Sequence, residues 1–89
     1  MIKQPITIIN KLGLHARASA KFVSTAAKFQ SQITVIKDHQ SVNGKSIMGV
    51  MMLAANQGTI LTLEIDGPDE FELLDAISEL INKRFYEAE

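Results

Sequence analysis

The chain has no cysteine, no tryptophan and only two histidines, His15 and His39, which lie far apart. Without thiols, disulfide bridges, cysteine nucleophiles and thiolate metal sites are excluded. Two isolated histidines fit no zinc-ligand spacing, so neither a metal nor a cofactor is expected. Aromatic residues are scarce, four phenylalanines and one tyrosine. Stacking surfaces for single-stranded nucleic acid need more, and no nucleic-acid partner is expected. No apolar run approaches the ~20 residues of a membrane-spanning helix, and the first residues lack the apolar core of a signal peptide. The expectation is a cytoplasmic protein without membrane insertion.

What is present is 89 residues, 46% of them hydrophobic, enough for one two-layer domain over residues 1–89. The charge is unevenly distributed. Residues 1–63 contain Lys3, Lys11, Arg17, Lys21, Lys28, Lys37 and Lys45 against the single acid Asp38, whereas residues 64–89 contain nine acids against Lys83 and Arg84. Such a split suggests a basic region that meets an anion or an acidic partner.

Hydrophobic spacing orders the elements. Ile2, Ile6 and Ile8 follow a period of two, a first strand in which Pro5 favours a sheet edge. Asn10 to Gly13 is a loop. Ala16 to Phe29 reads as a helix, with Ala16, Ala20, Val23 and Ala27 on one stripe and Ala18, Phe22, Ala26 and Phe29 on another. Ile33 to Ile36 forms a strand, and a turn at Lys37 to Gln40 leads to a short strand ending near Val42. After the Asn43-Gly44 turn, Ser46 is placed to cap a helix of about two turns running from Ile47 to Ala54. Leu61, Leu63 and Ile65 mark a strand with one buried face. Gly67-Pro68-Asp69-Glu70 starts a last helix, with Phe71, Leu74, Ile77, Leu80 and Ile81 as its apolar stripe and Lys83 and Arg84 at its C-terminal end. The order β-α-β-β-α-β-α, with half-buried strands, predicts an α+β sheet covered on one face by helices.

Chemistry concentrates at Gly13-Leu14-His15-Ala16-Arg17. His15 falls between a glycine loop and a helix start, where the first backbone N–H groups have no internal partners and the dipole favours an anion. Arg17, unfavourable for the helix by itself, is explained if it meets a doubly charged group. A neutral imidazole is a competent nucleophile, so these residues describe a histidine that can take up and release a phosphoryl group. A histidine that merely caps its helix, with a solvated arginine, has the same spacing. Gly44-Lys45-Ser46 is not a nucleotide-binding loop, because His39 stands where its first glycine belongs and the chain is too short for the parallel sheet. Ser46 is either a plain N-cap or a phosphorylation acceptor. Met48 and Met51 share a helical face and suit either a core or a surface that accepts several partners. From a different class, a small-ligand or RNA-binding module would keep its binding with His15 replaced.

Together with Val42-Asn43-Gly44-Lys45-Ser46-Ile47-Met48-Gly49-Val50-Met51, the His15 segment resembles the HPr family, the histidine-containing phosphocarriers of the bacterial phosphoenolpyruvate-dependent sugar phosphotransferase system. The resemblance spans essentially the whole chain. It implies an open-faced β-sandwich, a four-stranded antiparallel sheet in the order 1-4-2-3 with three helices on one face. It also implies that His15 accepts phosphorus on Nδ1 from phosphorylated enzyme I and passes it to a IIA domain of a sugar permease. Arg17 and the amides of Ala16 and Arg17 would hold the phosphoryl group. Ala20, Ile47, Met48 and Met51 would dock partners, and Ser46 would be the target of an HPr kinase/phosphorylase. The chain would act as a monomer, phosphorylated by others rather than an enzyme in its own right. A paralogous carrier of a nitrogen-related or regulatory phosphorelay would use the same histidine. Ala18 stands where many members have proline, and Ser24 and Ala27 stand where some have lysine.

Overall fold

A computed structural model describes residues 1–87. The element order is β1 (Ile2–Thr7), α1 (Ala16–Ala26), β2 (Gln32–Lys37), β3 (Gln40–Asn43), α2 (Ile47–Met52), β4 (Ile60–Asp66) and α3 (Glu70–Asn82), followed by a tight turn at Arg84–Tyr86. The four strands form one antiparallel sheet in the order β1-β4-β2-β3. This is the open-faced α+β sandwich expected. Pro5 lies on edge strand β1, opposite Thr62, where its missing N–H disturbs no second ladder.

Alternation decides which face is covered. Ile33, Val35, Leu61, Leu63 and Ile65 are fully buried, while the intervening Thr34, Ile36, Thr62 and Glu64 are half-buried on the other face. Ala18, Phe22 and Ala26 of α1, Val50 of α2, and Leu73, Ile77, Leu80 and Ile81 of α3 complete the core. Of the two candidate stripes on α1, it is the one through Phe22 that faces the sheet. In α3 the buried stripe begins at Leu73, and Phe71, expected inside, is 66% exposed. Positions 73, 77, 80 and 81 follow the 3.6-residue period, and 71 falls on the opposite side of the helix.

Element ends also differ. α1 stops at Ala26 rather than Phe29, because the Lys28 and Phe29 amides bond back three residues to Thr25 and Ala26 and tighten the last turn. The side-chain amine of Lys45 then donates to the Phe29 carbonyl at 2.7 Å. α2 ends at Met52, with Leu53 as its C-cap and Ala54 at φ 50°. Pro68 precedes α3, whose N-cap is Asp69, and Lys83 and Arg84 lie beyond its last turn. Asp69 leaves its own helix uncapped by its side chain and instead bonds the Gln30 and Ser31 amides, both at 2.9 Å.

The basic excess of the first half is partly structural. Lys21 donates to the Phe85 carbonyl, Lys37 to the Leu53 carbonyl and Lys45 to the Phe29 carbonyl, while Lys3 pairs with Glu64.

Candidate functional site

The loop before α1 is tied down from both sides. Gly13 has φ +69°, and a Cβ there would sit 2.4 Å from the Ala55 carbonyl oxygen. Glycine is required both by the left-handed backbone and by the close approach. The next amide, of buried Leu14, donates to that same carbonyl at 2.9 Å, and the Ser19 amide donates to the His15 carbonyl at 2.8 Å. His15 therefore presents its ring from a fixed backbone.

His15 is the N-cap of α1. Its Nδ1 accepts a hydrogen bond from the Arg17 amide at 3.2 Å. On the other side of the ring, Nε2 meets a Glu87 carboxylate oxygen. A backbone N–H can only donate and an ionised carboxylate can only accept, so the two contacts fix the tautomer: the proton is on Nε2 and the lone pair is on Nδ1. That lone pair faces the first turn of α1, where the positive end of the helix lies.

Glu87 is held in turn by a buried asparagine. The Asn10 side-chain amide donates to the second Glu87 oxygen at 2.9 Å and to the Gly13 carbonyl at 2.9 Å. Both of these partners are acceptors, which orients the amide and leaves its own oxygen buried without a hydrogen-bond partner among the described residues. Burial alone would push the Glu87 carboxyl up. The hydrogen bonds from Asn10 and from the His15 Nε2–H, with the positive charge of Lys21, outweigh it and hold the carboxyl below the ordinary carboxylate range.

The ring opens onto a concavity of about 700 Å³ lined by Leu12, His15, Ala16, Arg17, Lys21, Tyr86 and Glu87. Arg17 is exposed, and among the described residues its guanidinium makes no hydrogen bond or ion pair. Among the same residues, no three His, Cys, Asp or Glu side chains stand together as a metal site. No helix is long and apolar enough to cross a membrane.

His15, Ala16 and Arg17 line this one concavity. Ser46 lies outside this concavity as the N-cap of α2, its hydroxyl accepting the Gly49 amide at 3.1 Å. α2 packs against α1 and leaves Ile47 44%, Met48 74% and Met51 40% exposed, whereas Ala20 is half-buried. Sequence reasoning missed Asn10, Lys21 and Glu87 as parts of the site, and Met52, 72% exposed, as part of the apolar surface.

The whole chain has close counterparts among known proteins. Residues 2–83 match the family model of the PTS HPr component phosphorylation site. The phosphocarrier protein HPr of Neisseria meningitidis serogroup A is 60% identical over 89 residues, covering 100% of both chains. Among solved structures, HPr-C-His from Thermoanaerobacter tengcongensis has a TM-score of 0.95 at 49% identity, with 100% of each chain covered. An HPr dimer from the same organism has a TM-score of 0.78 at 50% identity, covering 98% of this chain and 100% of that one. A full-length match of sequence and fold leads to one conclusion: the chain belongs to the HPr family, the phosphocarrier components of the phosphotransferase system.

Proposed function

We propose that this chain, acting as a single domain, carries a phosphoryl group on His15 Nδ1, taking it from phosphorylated enzyme I and delivering it to a IIA domain of a sugar permease. The observation that supports this most directly is the tautomer. A lone pair on Nδ1, facing the Arg17 amide at a helix start and beside a guanidinium with no partner among the described residues, is a nucleophile with an anion site already built around it. As phosphorus bonds to Nδ1, the Arg17 amide loses its acceptor and gains a phosphoryl oxygen in nearly the same direction. The Ala16 amide and the Arg17 side chain supply further donors, and charge-assisted hydrogen bonds to a dianion are the stronger kind. The protein contributes positioning and electrostatics, and other proteins supply the phosphoryl group, so the chain is a carrier and not a self-contained enzyme.

Partner docking in this reading uses the apolar patch beside the site, where Ile47, Met48 and Met51 are exposed next to half-buried Ala20. Methionine adapts to differently shaped partners, which a carrier with a donor and an acceptor requires. Phosphorylation of Ser46 by an HPr kinase/phosphorylase would add negative charge at the head of α2 and repel an acidic partner without melting the helix. The carrier works as a cytoplasmic monomer, a point on which the dimeric relative sets the contrast to be checked by light scattering.

The test is incubation with phosphoenolpyruvate and enzyme I, followed by phosphorus NMR. A phosphorus signal coupled to Nδ1 of His15, lost on addition of a IIA protein, is the expected result. No histidine label would refute the assignment. Label that reaches only a nitrogen-type IIA protein would move the chain to a regulatory relay.

A further inference from the structure

We propose that Glu87 is a positioning residue for His15: its carboxylate occupies Nε2, keeps the ring proton there throughout transfer, and so directs phosphorus to Nδ1. This rests on His15 being the phosphoryl acceptor and adds a residue from the far end of the chain to that reaction.

The placement is built rather than incidental. One Glu87 oxygen takes the ring and the other takes Asn10, a residue with no exposed surface, so the carboxylate is gripped at both ends. The segment leading to it is anchored by Phe85, fully buried, whose carbonyl accepts from Lys21 at 2.6 Å. Arg84, Phe85 and Tyr86 all have positive φ, at 54°, 54° and 59°. Three consecutive non-glycine residues in the left-handed region are strained and persist only where surrounding contacts enforce them. Here the enforcing contacts deliver one side chain, Glu87, to one atom, Nε2. Asn10 contributes a second cost, a buried amide oxygen with no hydrogen-bond partner among the described residues, in order to direct its N–H groups at Gly13 and Glu87.

The chemistry follows from the proton's position. On acceptance, the Nδ1 lone pair forms the N–P bond while the donor's bond to phosphorus breaks and its electron pair leaves with the donor. The ring becomes an imidazolium whose proton stays on Nε2, facing the carboxylate. On delivery, the N–P electron pair returns to Nδ1 and the ring is neutral again, its proton still on Nε2. No proton enters or leaves, and the ion pair stabilises the charged intermediate. The charged groups that line the same concavity are Arg17 and Lys21 of α1, and the other titratable residue there is Tyr86. Covering Nε2 also blocks the ring nitrogen that lies away from the helix amides.

A small donor that needs no partner protein separates this proposal from the carrier assignment. The full chain, with 15N-labelled histidine, is treated with potassium phosphoramidate, and phosphorus–nitrogen coupling identifies the modified nitrogen. Wild type is expected to be labelled at Nδ1 alone, and Glu87→Ala at both nitrogens. Glu87→Gln keeps the ring covered without the charge. It is expected to retain Nδ1 selectivity, while the pH midpoint of phosphoryl loss falls by about one unit, roughly a tenfold slower loss at pH well above both midpoints. Label on Nε2 of wild type, or identical nitrogen selectivity and pH midpoint in wild type and Glu87→Ala, would overturn the proposal. Amide spectra of each variant report the fold, and the two substitutions read different quantities. If these results hold while enzyme I leaves wild type unlabelled, the carrier reading fails and the role of Glu87 stands.

Discussion

α3 is fastened to the first half of the chain at both ends by a carboxylate, and the two fastenings are built to opposite ends. At its head, Asp69 accepts the Gln30 and Ser31 amides and the Ser31 hydroxyl, and the Asp69 amide donates back to the Ser31 oxygen. Gly67, beside it, approaches so closely that a Cβ would stand 2.5 Å from Ser31 Cα. Every polar group there is engaged, chiefly with backbone. Past its tail, Glu87 holds an imidazole, and around it stand an Arg17 guanidinium and an Asn10 oxygen with no partner among the described residues, and helix amides without intrahelical acceptors. A closed network stabilises, whereas an open one keeps capacity for a group yet to arrive. Breaking the first should damage the fold and spare transfer; breaking the second should do the reverse.

The largest effect is expected from His15→Ala. Phosphoryl acceptance from enzyme I should fall by at least ~1000-fold, since the nucleophile itself is gone. Loss of the N-cap should lower stability by only about 1 kcal/mol in urea unfolding. A variant that unfolded outright would mean that the site end is also a structural fastening, and the contrast with Asp69 would collapse. Next is Arg17→Ala. Its guanidinium is exposed and unengaged among the described residues, so stability should move by no more than about 0.5 kcal/mol. Transfer should slow by roughly 10–100-fold, the loss of charge-assisted donors to the phosphoryl oxygens. Stopped-flow transfer rates beside thermal melts test both halves of that statement. A smaller effect is expected of Ser46→Asp, which adds charge at the head of α2 but outside the concavity. The rate of acceptance should drop about fivefold, through slower encounter with an acidic partner, and salt should narrow the difference. Equal rates at low salt would remove repulsion as the mechanism.

How much of this was legible depended on sequence distance. The His15 arrangement is local: a glycine, an imidazole and a helix start within five positions carry its meaning, and Ser46 as an N-cap was equally readable. The strands were legible because Leu61, Leu63 and Ile65 alternate without interruption. α3 was less legible: its length and stripe were readable, but hydrophobicity alone puts Phe71 into the stripe, although the period through Ile77, Leu80 and Ile81 runs back to Leu73. Glu87 left no trace in any window. It meets His15 across 72 positions, through a left-handed turn that no propensity of Arg84, Phe85 or Tyr86 suggests. Lysines posed a related difficulty: composition counts them as charge for a partner, but Lys21, Lys37 and Lys45 are engaged by main-chain carbonyls.

The smallest effect on transfer, and the clearest effect on the fold, should come from Asp69→Asn. The side-chain hydrogen bond from Ser31 and then the backbone hydrogen bond from Gln30 hold the Asp69 carboxyl below its ordinary value, against a smaller opposing effect of burial. A carboxyl whose folded pKa is depressed contributes stability that is complete above its unfolded pKa, at about 4, and is lost as pH falls through the folded value. Between those two values the unfolded chain binds more protons than the native one, so stability rises with pH there. Asparagine keeps the shape but turns one acceptor oxygen into an NH2 group facing a backbone or hydroxyl donor, so the melting temperature at neutral pH should drop by several degrees. Its acid dependence should also become shallower, because the remaining depressed carboxyl that the structure identifies is Glu87. Transfer from enzyme I should stay within about twofold of wild type, as expected for a surface change remote from any reacting atom. Melts at a series of pH values, run beside transfer assays, measure both. A steep loss of transfer with an unchanged acid limb would show that the two ends of α3 are coupled through the helix, and the division between a closed fastening and an open one would have to be abandoned.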